Sequence, residues 1–192
     1  GILEAATYKK PVINIGLRQN NWIFSKNVIH VKDYNFSNVN CISQEIPDIL
    51  KPYLNFCNEN NNDSKYEYNG ILVNYYDGPE HYIGYHSDDE KQLVKNSDIY
   101  CFSLGDSRDF CLKSNKTKEV FKIKLMNNSL VIMGGTCQKT HKHSIPKRKK
   151  AKKRISITVR KFKKNDFYTA KRKCHHQLNQ MPNILTILAI LC

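Results

Sequence analysis

The 192-residue chain has no Cys-x-x-Cys pair, no visible internal repeat and no apolar run long enough to cross a bilayer as a helix. Its seven cysteines (Cys41, Cys57, Cys101, Cys111, Cys137, Cys174 and Cys192) are scattered and odd in number. That excludes zinc-ribbon spacing and argues against a disulfide framework. Free thiols in a reducing, intracellular compartment are the expectation. The longest mainly apolar stretch, Ile184 to Cys192, is far short of the ~20 residues a spanning helix needs, so no membrane partner is expected. The chain opens Gly-Ile-Leu-Glu-Ala-Ala, without Met and without a charged segment before an apolar one. It reads as a clipped fragment and not as a signal peptide.

Arginine is also scarce, at 6 of the 31 basic residues, whereas Asn reaches 21 and Ile 19. An AT-rich coding sequence yields that set whatever the function. The net charge of +14 therefore proposes a polyanionic partner, attracted in a salt-dependent way, and proves none. What is present is globular in composition, 40% hydrophobic with 25% charged residues. Collagen-like and wholly disordered chains are excluded, and the length suits one well-cored domain.

Short β-prone runs, Pro11-Val-Ile-Asn-Ile and Asn27-Val-Ile-His-Val, precede a helix expected to start near Pro47. Ile46, Ile49, Leu50, Tyr53, Leu54 and Cys57 share one helical face, and Pro52 must kink or split it. From Tyr66 onward the texture is of strands: Ile71–Tyr76, Ile99–Leu104, Asp109–Leu112, Val120–Leu125, Ser129–Met133 and Ile155–Val159. Gly and Asn turns punctuate them, as in a β-sandwich or barrel.

Three local patterns carry chemistry. In His86-Ser-Asp88 the imidazole and carboxylate are i and i+2, on one side of a strand. With His143 they would form the two-histidine, one-carboxylate face that leaves a metal open on the other side. A lone histidine is more often a satisfied core or surface residue. In Arg154-Ile-Ser-Ile-Thr-Val-Arg160, Arg154, Ser156, Thr158 and Arg160 share one face. Two arginines aimed inward call for an anion, because an unpaired buried guanidinium is costly. Guanidinium forks suit a small dicarboxylate. An edge strand with a solvated polar face is the alternative. Third, Asn74-Tyr-Tyr76 places an amide and a phenol on one face, where both can donate to the same anion.

Taken in order, Asn74-Tyr-Tyr76-Asp-Gly78, His86-Ser-Asp88-Asp89-Glu90, Ser103-Leu-Gly105-x-x-Arg108-Asp-Phe110, Ser129–Met133, His143-Ser-Ile-Pro146 and Arg154-x-x-x-Thr158-x-Arg160 resemble the AlkB family. Its members are Fe(II)- and 2-oxoglutarate-dependent dioxygenases that remove alkyl groups from nucleobases. The resemblance runs from about Tyr66 to Phe162. It implies a mainly β fold with flanking helices, a double-stranded β-helix (jelly roll) with an N-terminal α/β extension. The core would span 66–164, after a recognition segment and support helix at 1–65 and before a basic, irregular tail at 165–192.

The resemblance further implies Fe(II) bound by His86, Asp88 and His143, with His141 the near miss, and O2 and 2-oxoglutarate as cosubstrates. Asn74 and Arg160 match partners of the C1 carboxylate and keto region of 2-oxoglutarate. Tyr76 and Arg154 match partners of the C5 carboxylate, and Thr158 lines the same pocket. Ser156 stands where many members have Asn. Asp89 matches the reader of the flipped base's exocyclic amino group, and Tyr34 and Phe36 match aromatics that sandwich that base. The implied activity is oxidative N-dealkylation of DNA or RNA by a monomer.

The run Lys147-Arg148-Lys149-Lys150-Ala-Lys-Lys153 is expected at the rim of the site, gripping nucleic acid backbone. A solvated loop or a nuclear-localisation tract are the other readings. Cys174-His175-His176 lacks a partner cluster for a metal. Rival functions are the same cofactors acting on a protein or an RNA modification, an idle nucleic-acid-binding module, and a zinc hydrolase. The last would have no use for the paired arginines.

Overall fold

In the computed structural model, Arg154–Arg160 is not an edge strand. It lies in the middle of the larger of two main sheets, and its two faces go to different places. The structure describes residues 13–14, 19–24, 34–36, 39–41, 46–163 and 186–191, with side chains for 46–163 and 186–190. The expected strand at Asn27–Val31 lies outside the described residues, as does Cys174-His175-His176.

In chain order the strands are β1 (Ile13–Asn14), β2 (Gln19–Phe24), β3 (Tyr34–Phe36), β4 (Val39–Cys41), β5 (Gly70–Tyr76), β6 (Ile83–His86) and β7 (Ile99–Gly105). They continue with β8 (Arg108–Ser114), β9 (Val120–Leu125), β10 (Ser129–Gly134), β11 (His141–Ile145), β12 (Arg154–Arg160) and β13 (Thr186–Leu191). A 3-10 turn at Asp48–Leu50 leads into helix α1 (Lys51–Glu59), and a short α2 (Cys137–Thr140) precedes β11. Pro52 sits in the first turn of α1, where its missing N–H is no loss. It splits the helical segment and does not kink it.

The larger sheet runs β1-β2-β5-β12-β7-β10-β13 and the smaller β6-β11-β8-β9, while β3 and β4 form a separate ribbon. Side chains alternate across a strand, which sorts the larger sheet into two faces. Ile71, Val73, Tyr100, Phe102, Ile157 and Val159 pack on Leu50, Tyr53 and Cys57 of the helical segment. The rings of Tyr53 and Phe102 meet edge to face at 4.9 Å. The opposite face looks at the smaller sheet, where Phe110, Leu112, Leu125 and Ile145 join Val131 and Met133 in a second core. Two facing sheets with the site between them make the expected jelly roll.

At the far end of β12 the side-chain amide of Asn69 bonds both backbone groups of Phe162, donating to its carbonyl at 2.9 Å and accepting from its N–H at 2.7 Å. This ties the start of β5 to the end of β12 beside Arg160. At the near end, Gly105 has φ +90°, and a Cβ there would lie 2.5 Å from the Lys153 carbonyl oxygen. Only glycine fits so close an approach of two backbones.

The tail expected to be irregular over 165–192 ends in a strand. Thr186–Leu191 pairs in parallel with β10, Ser129 opposite Thr186 through Gly134 opposite Leu191. An exposed β10 edge would present unpaired backbone groups. The β-prone run Thr-Ile-Leu-Ala-Ile-Leu covers it, and Leu188 and Ile190 pack onto the second core.

Candidate metal centre and cosubstrate pocket

His86 ends β6 and His143 occupies the middle of β11, directly opposite it in the antiparallel register. Cross-strand partners point to the same face, so both rings turn inward, their centroids 4.2 Å apart. His143 does not simply follow the Ser129–Met133 strand. The Gly135-Thr136 turn and α2 intervene, and β11 is a strand of its own. Asp88, two residues past His86, completes the cluster, with ligand atoms of all three residues within 4.8 Å of one another. His141, at the start of β11, is outside it; its Nδ1 is hydrogen-bonded to the Thr140 hydroxyl at 2.8 Å.

The surroundings prepare these three groups for a cation. The His86 Nδ1 lies 2.9 Å from the Gly84 carbonyl, a contact that holds the proton on Nδ1 and leaves Nε2 as the donor. That Nε2 lies 3.6 Å from Asp88 Oδ1. The His143 ring stacks on Phe110, centroids 5.5 Å apart at 16°. Burial, and after it the charges of His86 and Arg160, push His143 down to about 3, so the imidazole is neutral and its lone pair available.

Asp88 is held from several directions. Its backbone N–H donates to Gln138 Oε1 at 2.9 Å, and its Oδ2 accepts from Arg160 Nε at 3.0 Å and also from Nη2. Its Oδ1 has no hydrogen-bond partner although it is buried. Burial alone would raise the Asp88 carboxyl, but the Arg160 guanidinium, with His143 and His86, holds it well below the usual carboxylate range. The neutral His143 imidazole, the Nε2 of His86 and an ionised carboxylate with one bare oxygen fit Fe(II) bound on one face.

The polar face of β12 explains the rest of the cavity. Asn74, Tyr76, Arg154, Ser156, Thr158 and Arg160, all singled out from the sequence, line the same pocket as His86, Asp88 and His143. Arg154 is 1% exposed. Its Nε and Nη2 both donate to Ser103 Oγ, at 2.9 and 2.7 Å, while its Nη1 has no partner. Tyr76 lies between two guanidiniums, with Arg154 Cζ at 5.0 Å and Arg108 Cζ at 5.5 Å from its ring centroid. Burial, and then the charge of Arg154, lower Arg108 from its ordinary value. Arg108 is spent on carbonyls, those of His81 and Pro146 at 2.7 Å. Among the described residues no carboxylate pairs with Arg154. A buried cation with an unused donor is a seat for an anion.

Several contributors escaped the sequence reading: Cys101, Met133 and Ile145 in the lining, Phe110 under His143, Ser103 under Arg154, and Gln138 on Asp88. Their roles depend on which strands lie side by side, a non-local fact. Ser103, Phe110, Met133 and Ile145 did stand inside the quoted motifs, which was the one available signal.

The candidate substrate residues are more dispersed. Asp89 is exposed and lines a neighbouring depression with Glu90, Leu93, Ile99 and Gln138. Asp88 and Arg160 border both hollows, so that depression opens beside the metal centre. Tyr34 and Phe36 belong to the β3–β4 ribbon; their side chains lie outside the described residues.

The basic run is tethered locally at the Arg154 end of the pocket. Lys147 pairs with Glu80 at 2.8 Å, Arg148 donates to the Ser107 carbonyl at 2.6 Å, and Lys153 lies 3.8 Å from Asp77. Those partners flank Tyr76 and Gly105, the Arg154 end of β12. Asp88 instead sits at the Arg160 end, about 20 Å along the strand at the usual rise per residue. Lys149, Lys150 and Lys152 remain exposed.

The chain is similar to known proteins. The profile of the 2OG-Fe(II) oxygenase superfamily matches residues 10–160. The chain is 33% identical to the DNA oxidative demethylase ALKBH2 of Arabidopsis thaliana, over 48% of this chain and 37% of that protein. It is 36% identical to ALKBH2 of Mus musculus, over 50% of this chain and 44% of that protein. The match thus spans about two fifths of those relatives' length. The solved structure of OsALKBH1 aligns over 74% of this chain and 77% of that one, with 20% identity and a TM-score of 0.46. With the profile covering most of its length, and with a donor set and an anion seat that suit the cofactors, the chain belongs to the 2OG-Fe(II) oxygenase superfamily, AlkB-like in its relatives, which implies Fe(II), 2-oxoglutarate and O2.

Proposed function

We propose that this chain is the catalytic part of an oxidative demethylase that removes N-alkyl groups from nucleobases, in DNA before RNA, as its ALKBH2 relatives are named. When bound, Fe(II) and 2-oxoglutarate supply the oxidising power, and 2-oxoglutarate and O2 are consumed to succinate and CO2. The chain's own residues do the rest. His86, Asp88 and His143 hold the metal from one side. Arg154, backed by Ser103 and flanked by Tyr76, takes the distal carboxylate of the cosubstrate, with Thr158 and Ser156 along its length. Asn74 and Arg160 face its keto acid end.

The two sheets enclose the site and limit water around it. On this reading Asp89, in the adjoining depression, accepts from a base's exocyclic amino group, and a base in a duplex must leave its stack to get there. Hydroxylation of the N-alkyl carbon yields a hemiaminal that loses an aldehyde, returning the proton to the base nitrogen.

The unpartnered Arg154 Nη1, buried in the cavity that holds the His86, Asp88 and His143 donors, carries this reading. Succinate formation tests it. With Fe(II) and 2-oxoglutarate, an oligonucleotide containing N-methylated bases should raise succinate output above the substrate-free level and lose its methyl groups. Succinate without loss of methyl would keep the oxygenase and discard the nucleobase substrate.

A further inference from the structure

Cys101 is the one buried free cysteine among Cys57, Cys101, Cys111 and Cys137 that lines the cosubstrate pocket. Cys57 is on the buried face of α1 in the first core, with burial raising its thiol, and Cys137 lies in the second core. On β7 the Cys101 side chain stands on the same face as Ser103, the seat of Arg154, about 7 Å away at strand spacing. Opposite, Cys101 faces Thr158 in register. Its sulphur lies 3.2 Å from Ser156 Oγ and 3.9 Å from Thr158 Oγ1. A small anion held by the unused Nη1 of Arg154 therefore runs its carbon chain towards a thiol.

We propose that Cys101 is a covalent modification site for α,β-unsaturated dicarboxylates, which Arg154 anchors and the Cys101 sulphur attacks. The proposal rests on the reading of this cavity as a carboxylate pocket. The bond-making balances without a further reagent. Sulphur bonds to one alkene carbon as the π bond breaks, the thiol gives up its proton, and the neighbouring carbon gains one. The Ser156 hydroxyl is close enough to relay that proton. The product is a thioether that fills the space of the cosubstrate chain, so modification and 2-oxoglutarate binding exclude each other.

Fumarate serves as the probe, with peptide mass mapping as the readout and no turnover required. The expected result is a mass gain of one fumarate on the Cys101 peptide, absent in Cys101→Ser. Succinate, which has no alkene, should protect, slowing the modification about tenfold at ten times its Kd. Arg154→Lys should slow fumarate and leave the uncharged dimethyl ester unaffected, since only the diacid needs the guanidinium fork. Fumarate modification that succinate does not slow, or that spreads evenly over Cys57, Cys111 and Cys137, would overturn the proposal.

Calorimetry of 2-oxoglutarate binding to the Mn(II)-loaded protein separates the two readings. Binding without a Cys101 adduct ends the thiol proposal and keeps the pocket. No binding ends both.

Discussion

Arg160 donates both Nε and Nη2 to a single oxygen of Asp88, Oδ2, and so turns the other oxygen, Oδ1, towards His86. The arginine read from the sequence as a cosubstrate partner is thus also the clamp on a metal ligand. Removing a partner from so buried a pair is expected to cost about 3–5 kcal/mol, which makes truncation a poor probe. Arg160→Lys keeps the charge and loses the two-point grip. Metal affinity should fall about 10- to 100-fold, read as Mn(II) titration without 2-oxoglutarate. An unchanged Mn(II) affinity would separate Arg160 from the metal site.

His86→Ala, Asp88→Ala and His143→Ala should each abolish succinate formation, because each removes one of three protein ligands. His141→Ala should leave most of it, since that ring bonds Thr140 and lies outside the cluster. Circular dichroism should show all four variants folded. Loss of activity in His141→Ala but not in His143→Ala would reverse the assignment.

For the basic run, the structure separates side chains tied by a contact, Lys147 and Arg148, from the exposed Lys149, Lys150 and Lys152. Replacing Lys149, Lys150 and Lys152 with Gln should flatten the slope of log affinity against log salt for an oligonucleotide, by roughly one unit for each phosphate no longer neutralised. Lys147 and Arg148 are tied to Glu80 and Ser107, so changing them should loosen that loop as well. A parental slope in the triple variant would make the run a solvated loop.

Asp89→Ala should blur discrimination among methylated bases and keep the salt slope, because a base edge and not the backbone is read there. Competition between differently methylated oligonucleotides measures it. Unchanged preferences would remove Asp89 from recognition.

Gly105→Ala combines a positive φ with a Cβ 2.5 Å from the Lys153 carbonyl oxygen. It should destabilise the fold by roughly 1–3 kcal/mol, seen as a lowered denaturation midpoint with an unchanged slope. A neutral outcome would mean that the 153–154 backbone yields easily.

The alternating strands were legible because their chemistry has a period of two. Arg154, Ser156, Thr158 and Arg160 on one face and Ile155, Ile157 and Val159 on the other describe a strand between a polar pocket and a helix. The metal ligands were legible from spacing combined with family resemblance. The seat of Arg154 on Ser103, the grip of Arg160 on Asp88 and the placing of the basic run beside Glu80 and Ser107 were not. Each depends on which strand or loop lies next to which, and side-chain reach erases the signal of sequence distance. β13 escaped because its apolar run follows a long basic stretch and pairs with a strand more than fifty residues earlier.

The register of His86 against His143 has a mechanical consequence. β6 has four residues, lies at the edge of its sheet and is bonded on one side only, to β11, with an irregularity between His143 and Ile145. A cation shared by His86, Asp88 and His143 would rivet that strand to its neighbour through side chains where the backbone ladder is weakest. Occupancy of the metal centre and closure of the smaller sheet's rim then become a single equilibrium, and slower amide exchange along β6 would report the loaded state before any substrate arrives.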